Sequence, residues 1–107
     1  MPSQTITAAD QWATLPVQYK GRAETVSIAV SVKETVMDGT RYVVQQSTDS
    51  GATWATTYEV ADSDFVLIGG VYEYADQFEV SNRFLYRIGV PAGGYVSGGT
   101  KTVAVEV

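Results

Sequence analysis

The chain has 107 residues and a net charge of −5, and it contains neither cysteine nor histidine. These absences exclude a disulfide framework, a thiol nucleophile and a zinc site built on Cys or His, so any enzyme chemistry would fall to carboxylates, tyrosines or lysines. The length fits one domain, and a hydrophobic fraction of 45% is enough for a core.

The distribution of charged and apolar residues limits the classes of partner that the chain can bind. No Lys or Arg occurs between Tyr42 and Asn82. The acidic residues of that stretch are Asp49, Glu59, Asp62, Asp64, Glu73, Asp76 and Glu79. Without a basic surface we expect no nucleic-acid partner, and without an apolar run of ~20 residues or a signal-like start we expect no membrane association. The acidic stretch indicates a solvated face or, together with Arg83, Arg87 and Lys101 that follow it, the side-by-side ordering of like copies.

The N-terminal residues 1–23 are predicted to form an arm or a first strand, ahead of a β-sandwich domain at 24–107. Thr7 to Asp10 has the form of a capping box, which predicts a short helical turn or an irregular segment. The apolar residues of the arm, without a regular pattern, are Ile6, Trp12, Leu15 and Val17. The arm is therefore expected either to dock on a neighbour or to cover the sandwich.

Alternation of apolar and polar residues predicts β-strands through the rest of the chain. Its inward positions are expected to be Val26, Ile28, Val30 and Val32, then Trp54, Thr56, Tyr58 and Val60, then Phe84, Tyr86, Ile88 and Val90, and finally Val103, Val105 and Val107. Gly-rich residues 93–99 are expected to join the last two strands. The fold class predicted is all-β: a single immunoglobulin-like or related antiparallel sandwich of about six to seven strands.

Two segments leave the strand order open. Asp38-Gly39 predicts a tight hairpin in one sheet, whereas an immunoglobulin-type sandwich places the second and third strands in opposite sheets. Either the turn is wider than a hairpin or the topology is a meander variant. The apolar run Phe65 to Ile68 predicts a strand covered on both faces, with Gly69-Gly70 as a bulge or kink.

One local motif is sharp: residues 47–54 fit the pattern S-x-D-x-G-x-T-W. Its fixed positions are Ser47, Asp49, Gly51, Thr53 and Trp54. The pattern resembles the Asp-box, a hairpin repeated in sialidase-type propellers and found singly in other β proteins. Asp49 is expected to accept backbone N–H groups and Gly51 to supply a positive φ. A propeller needs several blades, so a single hairpin indicates a structural role.

Carboxylates and aromatic residues are the remaining candidates for chemistry. Asp62 and Asp64 suit an acid and base of glycoside hydrolysis, or they cap a turn; with Glu59 they would make a calcium site of unfamiliar spacing. We favour the turn and predict no catalytic residue, cofactor or metal. Tyr58 and Tyr86 are expected in the core. The candidate interface residues are Trp12, Tyr72, Tyr74 and Tyr95.

The wider arrangement resembles small virion-associated proteins of tailed bacteriophages. The segments that carry the resemblance are Trp12, the hairpin from Gln45 to Trp54, Leu85 to Val90, and Tyr95 to Gly99. The resemblance implies a non-enzymatic capsid decoration (cement) protein, made in the host cytoplasm and resident on the virion, most favourably on the capsid surface. Its implied partner is the major capsid protein, and a homo-oligomer, favourably a trimer, is expected. The alternative is a carbohydrate-binding or adhesin module of a tail or fibre.

Overall fold

In a computed structural model, which describes residues 2–15 and 25–107, the chain forms two antiparallel sheets packed as a sandwich. The strands of the described residues are β1 (Ser3–Thr5), β2 (Gln11–Leu15), β3 (Thr25–Glu34), β4 (Val43–Ser47), β5 (Ala55–Glu59), β6 (Val66–Ile68), β7 (Val71–Ser81), β8 (Leu85–Val90) and β9 (Lys101–Glu106). The five-stranded sheet has the order β1-β9-β3-β7-β6, and the four-stranded sheet has the order β2-β8-β4-β5. The predicted all-β sandwich is confirmed, with more strands than expected.

The core lies between the sheets and follows the predicted alternation. Ile28, Val30 and Val32 of β3 are buried beside the inward residues of β9 in the same sheet, and the inward residues of β8 face them from the other sheet. Such side chains stabilise the fold by roughly 1.5–3 kcal/mol each when fully buried. The alternation fails at Val107, which is 60% exposed because β9 ends one residue earlier. It also fails at Thr56, which is exposed, and at Trp54, which contacts Arg87 on the outward side of β8.

The described part of the N-terminal arm belongs to the sandwich. β1 pairs with β9 and β2 pairs with β8, so the arm contributes one strand to each sheet. Between them, Thr7 to Asp10 forms bends instead of a helical turn, and Oε1 of Gln11 accepts the N–H groups of Thr7 (2.6 Å) and Ala8 (3.2 Å). Ile6 is buried in the core. Val17 and the predicted boundary at residue 23 lie outside the described residues.

The prediction of a tight hairpin at Asp38-Gly39 is wrong, because the connection between β3 and β4 is a longer loop. β3 and β4 lie in opposite sheets, joined by residues 35–42. Gly39 has the positive φ (+87°) expected of a turn, but Asp38 is held by Lys101 of β9. This ion pair holds the loop where it crosses from one sheet to the other at the end of the sandwich. An immunoglobulin-type arrangement has such a crossing between its second and third strands.

The expectation of a strand covered on both faces at Phe65 to Ile68 is also wrong. β6 is the edge of the five-stranded sheet, and its three residues are exposed. Gly69 and Gly70 form neither a bulge nor a kink. Their φ angles of +58° and +83° fit a two-residue type I′ turn, which folds β6 back onto the eleven-residue β7.

Candidate protein-binding surface

The most distinctive surface of the described residues is the β6 edge, which we define as Val66, Leu67 and Ile68. Their exposed fractions are 60%, 58% and 56%. β6 pairs with β7 through Val66–Glu73, Leu67–Tyr72 and Ile68–Val71, and no described strand pairs with its other side. Consecutive strand residues point to opposite faces, so the edge is apolar on both faces.

Free edges of this kind are normally blunted. Lysine, proline or a bulge usually protects an edge strand from pairing with another chain, and the β6 edge has none of them. Apolar side chains exposed together mark interaction sites more often than isolated ones do. Two further exposed apolar side chains, Val36 and Val96, lie in the loops at the same end of the sandwich.

Of the tyrosines predicted for the interface, Tyr72 lies at this edge and Tyr74 does not. Tyr72 is half-buried and faces Leu67 across the hairpin. Tyr74 is only 4% exposed, because it points between the sheets and stacks on Tyr58 with ring centroids 6.2 Å apart. Its assignment as an interface residue is therefore corrected to a core residue. Burial raises the pKa of the Tyr74 hydroxyl.

Trp12 lies instead on the outer face of the four-stranded sheet, in a stack with Arg87 and Trp54. The guanidinium of Arg87 lies 3.8 Å from the centroid of Trp12 and 4.0 Å from that of Trp54. Oε1 of Gln45 accepts hydrogen bonds from Nε (2.9 Å) and Nη2 (2.7 Å) of Arg87. Burial lowers the pKa of Arg87. A Cβ at Gly89 would lie 2.9 Å from Trp12, so glycine permits this close approach.

Residues 47–54 form a hairpin turn held by side-chain hydrogen bonds. Oδ1 of Asp49 accepts the Thr53 N–H (2.9 Å) and the Ser47 hydroxyl (2.7 Å), and Oγ of Ser47 accepts the Gly51 N–H (2.8 Å). Gly51 has φ +94°. The hydrogen bonds from Thr53 and Ser47 lower the pKa of Asp49 to about 2. Asp49 is thus engaged within the turn.

Asp62 and Asp64 form a 3₁₀ turn between β5 and β6. Oδ2 of Asp64 accepts the Tyr58 hydroxyl (2.6 Å) and the Ala61 N–H (2.8 Å), which lower its pKa. Glu59 pairs with Arg41 at 2.8 Å. Asp64 and Glu59 are thus engaged with different partners, and no metal-binding group of three or more acidic side chains exists within residues 2–15 and 25–107.

A buried polar network closes the end of the sandwich that also carries the β6 edge. The Tyr42 hydroxyl donates to Oε2 of Glu34 at 2.7 Å, and Lys101 pairs with Asp38. Burial raises the pKa of Glu34. Tyr95 is half-buried, and its ring centroid lies 5.6 Å from the Lys101 ammonium, so Tyr95 packs beside this network.

Sequence reasoning missed the β6 edge, Arg87 and the network around Lys101. The available signal for the edge was an apolar run between an acidic turn and Gly-Gly, without any basic residue nearby. The described ranges contain no helix long and apolar enough to cross a bilayer. No family model, curated protein or solved structure matches the chain.

Proposed function

We propose that the chain is a non-enzymatic structural protein of a tailed-phage virion, acting as a capsid decoration (cement) protein that binds the major capsid protein. The observation that carries the proposal is the β6 edge, an apolar edge strand without lysine, proline or a bulge. Exposed apolar surface of this kind is a cost in a free monomer and a gain once a partner covers it.

Binding by such a protein strengthens a shell through linkage. A ligand that binds only the assembled shell stabilises that state in proportion to its affinity and concentration. A symmetric oligomer, for which a trimer is our expectation, multiplies the effect because each copy contacts another subunit.

Binding to capsids tests the proposal directly. The purified chain is expected to co-sediment with expanded capsids of its phage and to raise their melting temperature. Val66→Asp is expected to weaken binding at least tenfold, because it places a charge in the apolar contact. Val107→Asp is the matched control, because Val107 is also 60% exposed but lies at the other end of β9. No capsid binding, or equal loss in both variants, contradicts the proposal.

A carbohydrate-binding or adhesin module of a tail or fibre is the second candidate. It is favoured by Trp12, Arg87 and Trp54 on the outer face of the four-stranded sheet, since indole and guanidinium groups are common at binding surfaces. A glycan array would give a signal that Trp12→Ala removes and Val66→Asp preserves. A blank array, or a signal that survives Trp12→Ala, rejects this candidate.

A further inference from the structure

We propose that the β6 edge binds its partner by strand addition, taking up an extended, basic segment of another virion protein as a sixth strand of the five-stranded sheet. The inference rests on the proposed function and names the mode of binding and the chemistry of the segment. Strand addition draws affinity from main-chain hydrogen bonds and specificity from alternate side chains.

The hairpin geometry places free backbone groups at Leu67. In a two-residue hairpin, the residues that flank the turn, Ile68 and Val71, form a hydrogen-bonded pair. The next pair, Leu67 and Tyr72, is then non-hydrogen-bonded, so the N–H and C=O of Leu67 point away from β7. These groups face the open side of the sheet and are positioned to bond an added strand.

The charges around the edge decide the chemistry of the segment. Asp62 and Asp64 precede the edge, and Glu73 pairs with Val66. Lys33 of the neighbouring β3 lies 3.9 Å from Glu73. A segment with Lys or Arg between apolar residues would complement the acids while its apolar side chains cover the edge.

A second copy of the chain fits the edge less well. Pairing β6 with β6 of another copy would offer Asp62 and Asp64 no basic partner, because positions 42 to 82 hold no Lys or Arg. The three exposed side chains also offer far less than the ~800 Å² per partner that a stable protein pair buries. The edge therefore suits a longer partner segment that continues beyond it.

Three synthetic peptides test the mode of binding on the full chain. The first alternates lysine and valine over seven residues; the second has the same side chains but N-methyl groups on alternate backbone nitrogens; the third has glutamate for lysine. Backbone NMR shifts give the affinity, and hydrogen exchange follows the Leu67 amide. We expect the first peptide to bind and protect that amide, and the other two to bind at least tenfold more weakly.

Two variants locate the hydrogen bond on the protein side. Leu67→Pro removes the outward N–H, which makes no hydrogen bond to β7. This variant should lower the affinity for the first peptide at least tenfold. Leu67→Ala keeps the N–H and should weaken it less. The persistence of the Ile68–Val71 contact in NMR shows whether the hairpin survives; if it does not, the N-methylated peptide alone decides.

Several outcomes overturn strand addition. They are equal affinity for the N-methylated peptide, no binding at millimolar peptide, shifts confined to the surface around Arg87, or protection of the Leu67 amide by self-association without peptide. If strand addition fails while Val66→Asp still abolishes capsid binding, the proposed function stands. If the peptides behave as expected but the chain binds no capsid, the proposed function fails and the edge property remains.

Discussion

Nζ of Lys101 lies 2.7 Å from Oδ2 of Asp38, and this ion pair ties the first residue of β9 to the loop between β3 and β4. The lysine is only 1% exposed and also donates to the carbonyl oxygen of Gly98. Oδ2 makes no well-aligned hydrogen bond, so charge attraction holds the pair. Burial alone would raise the pKa of Asp38. The hydrogen bonds from Lys101 and the Thr40 hydroxyl lower this pKa by more, so its net shift is downward.

Removing the lysine charge should destabilise the fold. Lys101→Met leaves Asp38 without its cation, and breaking a buried pair in this way costs about 3–5 kcal/mol. Urea denaturation measures the loss. The double variant Lys101→Met with Asp38→Asn should recover most of it, because neither charge then remains. A single variant as stable as the parent chain would show that the pair does not anchor the loop.

The buried carboxyl of Glu34 should make stability depend on pH. Burial raises its pKa, so the folded chain holds a proton more tightly than the unfolded chain, and stability falls as the pH rises from about 4.5 through the raised value. Glu34→Gln keeps an acceptor for Tyr42 and should remove this fall. Tyr42→Phe should cost about 1–3 kcal/mol by leaving a buried acceptor unpaired. Melting temperatures between pH 4 and 8 compare the three chains.

Asp49 should give the opposite dependence at acid pH. Its pKa is lowered to about 2, so its hydrogen bonds stabilise the fold above pH ~3.9, the ordinary value of an aspartate, and this stabilisation is lost as the pH falls through 2. Asp49→Asn should be less stable at neutral pH and less sensitive between pH 4 and 2. Melting curves over that range would contradict the account if both chains lost stability in parallel.

The stack of Trp12, Arg87 and Trp54 is open to a spectroscopic test. Both tryptophans of the chain contact the same guanidinium, so the whole indole fluorescence reports on it. Arg87→Lys keeps the charge but loses the planar contact and the paired bonds to Gln45, and should cost about 1 kcal/mol. Its emission should shift to longer wavelength and become more sensitive to iodide. Unchanged quenching would show that the stack does not shield the indoles.

Sequence reasoning predicted the local features and missed the long-range ones. The alternation of β3 was readable because one buried face repeats every second residue. The turn at 47–54 was readable because its bonds join neighbours. Whether Leu67 is covered depends on the order of strands in the sheet, and the apolar run of residues 65–68 carries no information about that order. Arg87 needs Trp12 and Trp54 from distant parts of the chain, so no local pattern revealed the stack.

A cryo-EM reconstruction of virions that carry the chain tests the central claim most directly. We expect density for the sandwich on the capsid surface, with Val66, Leu67 and Ile68 against another virion protein and a strand of that protein beside β6. Density in which the β6 edge faces solvent while another surface makes the contact would contradict it.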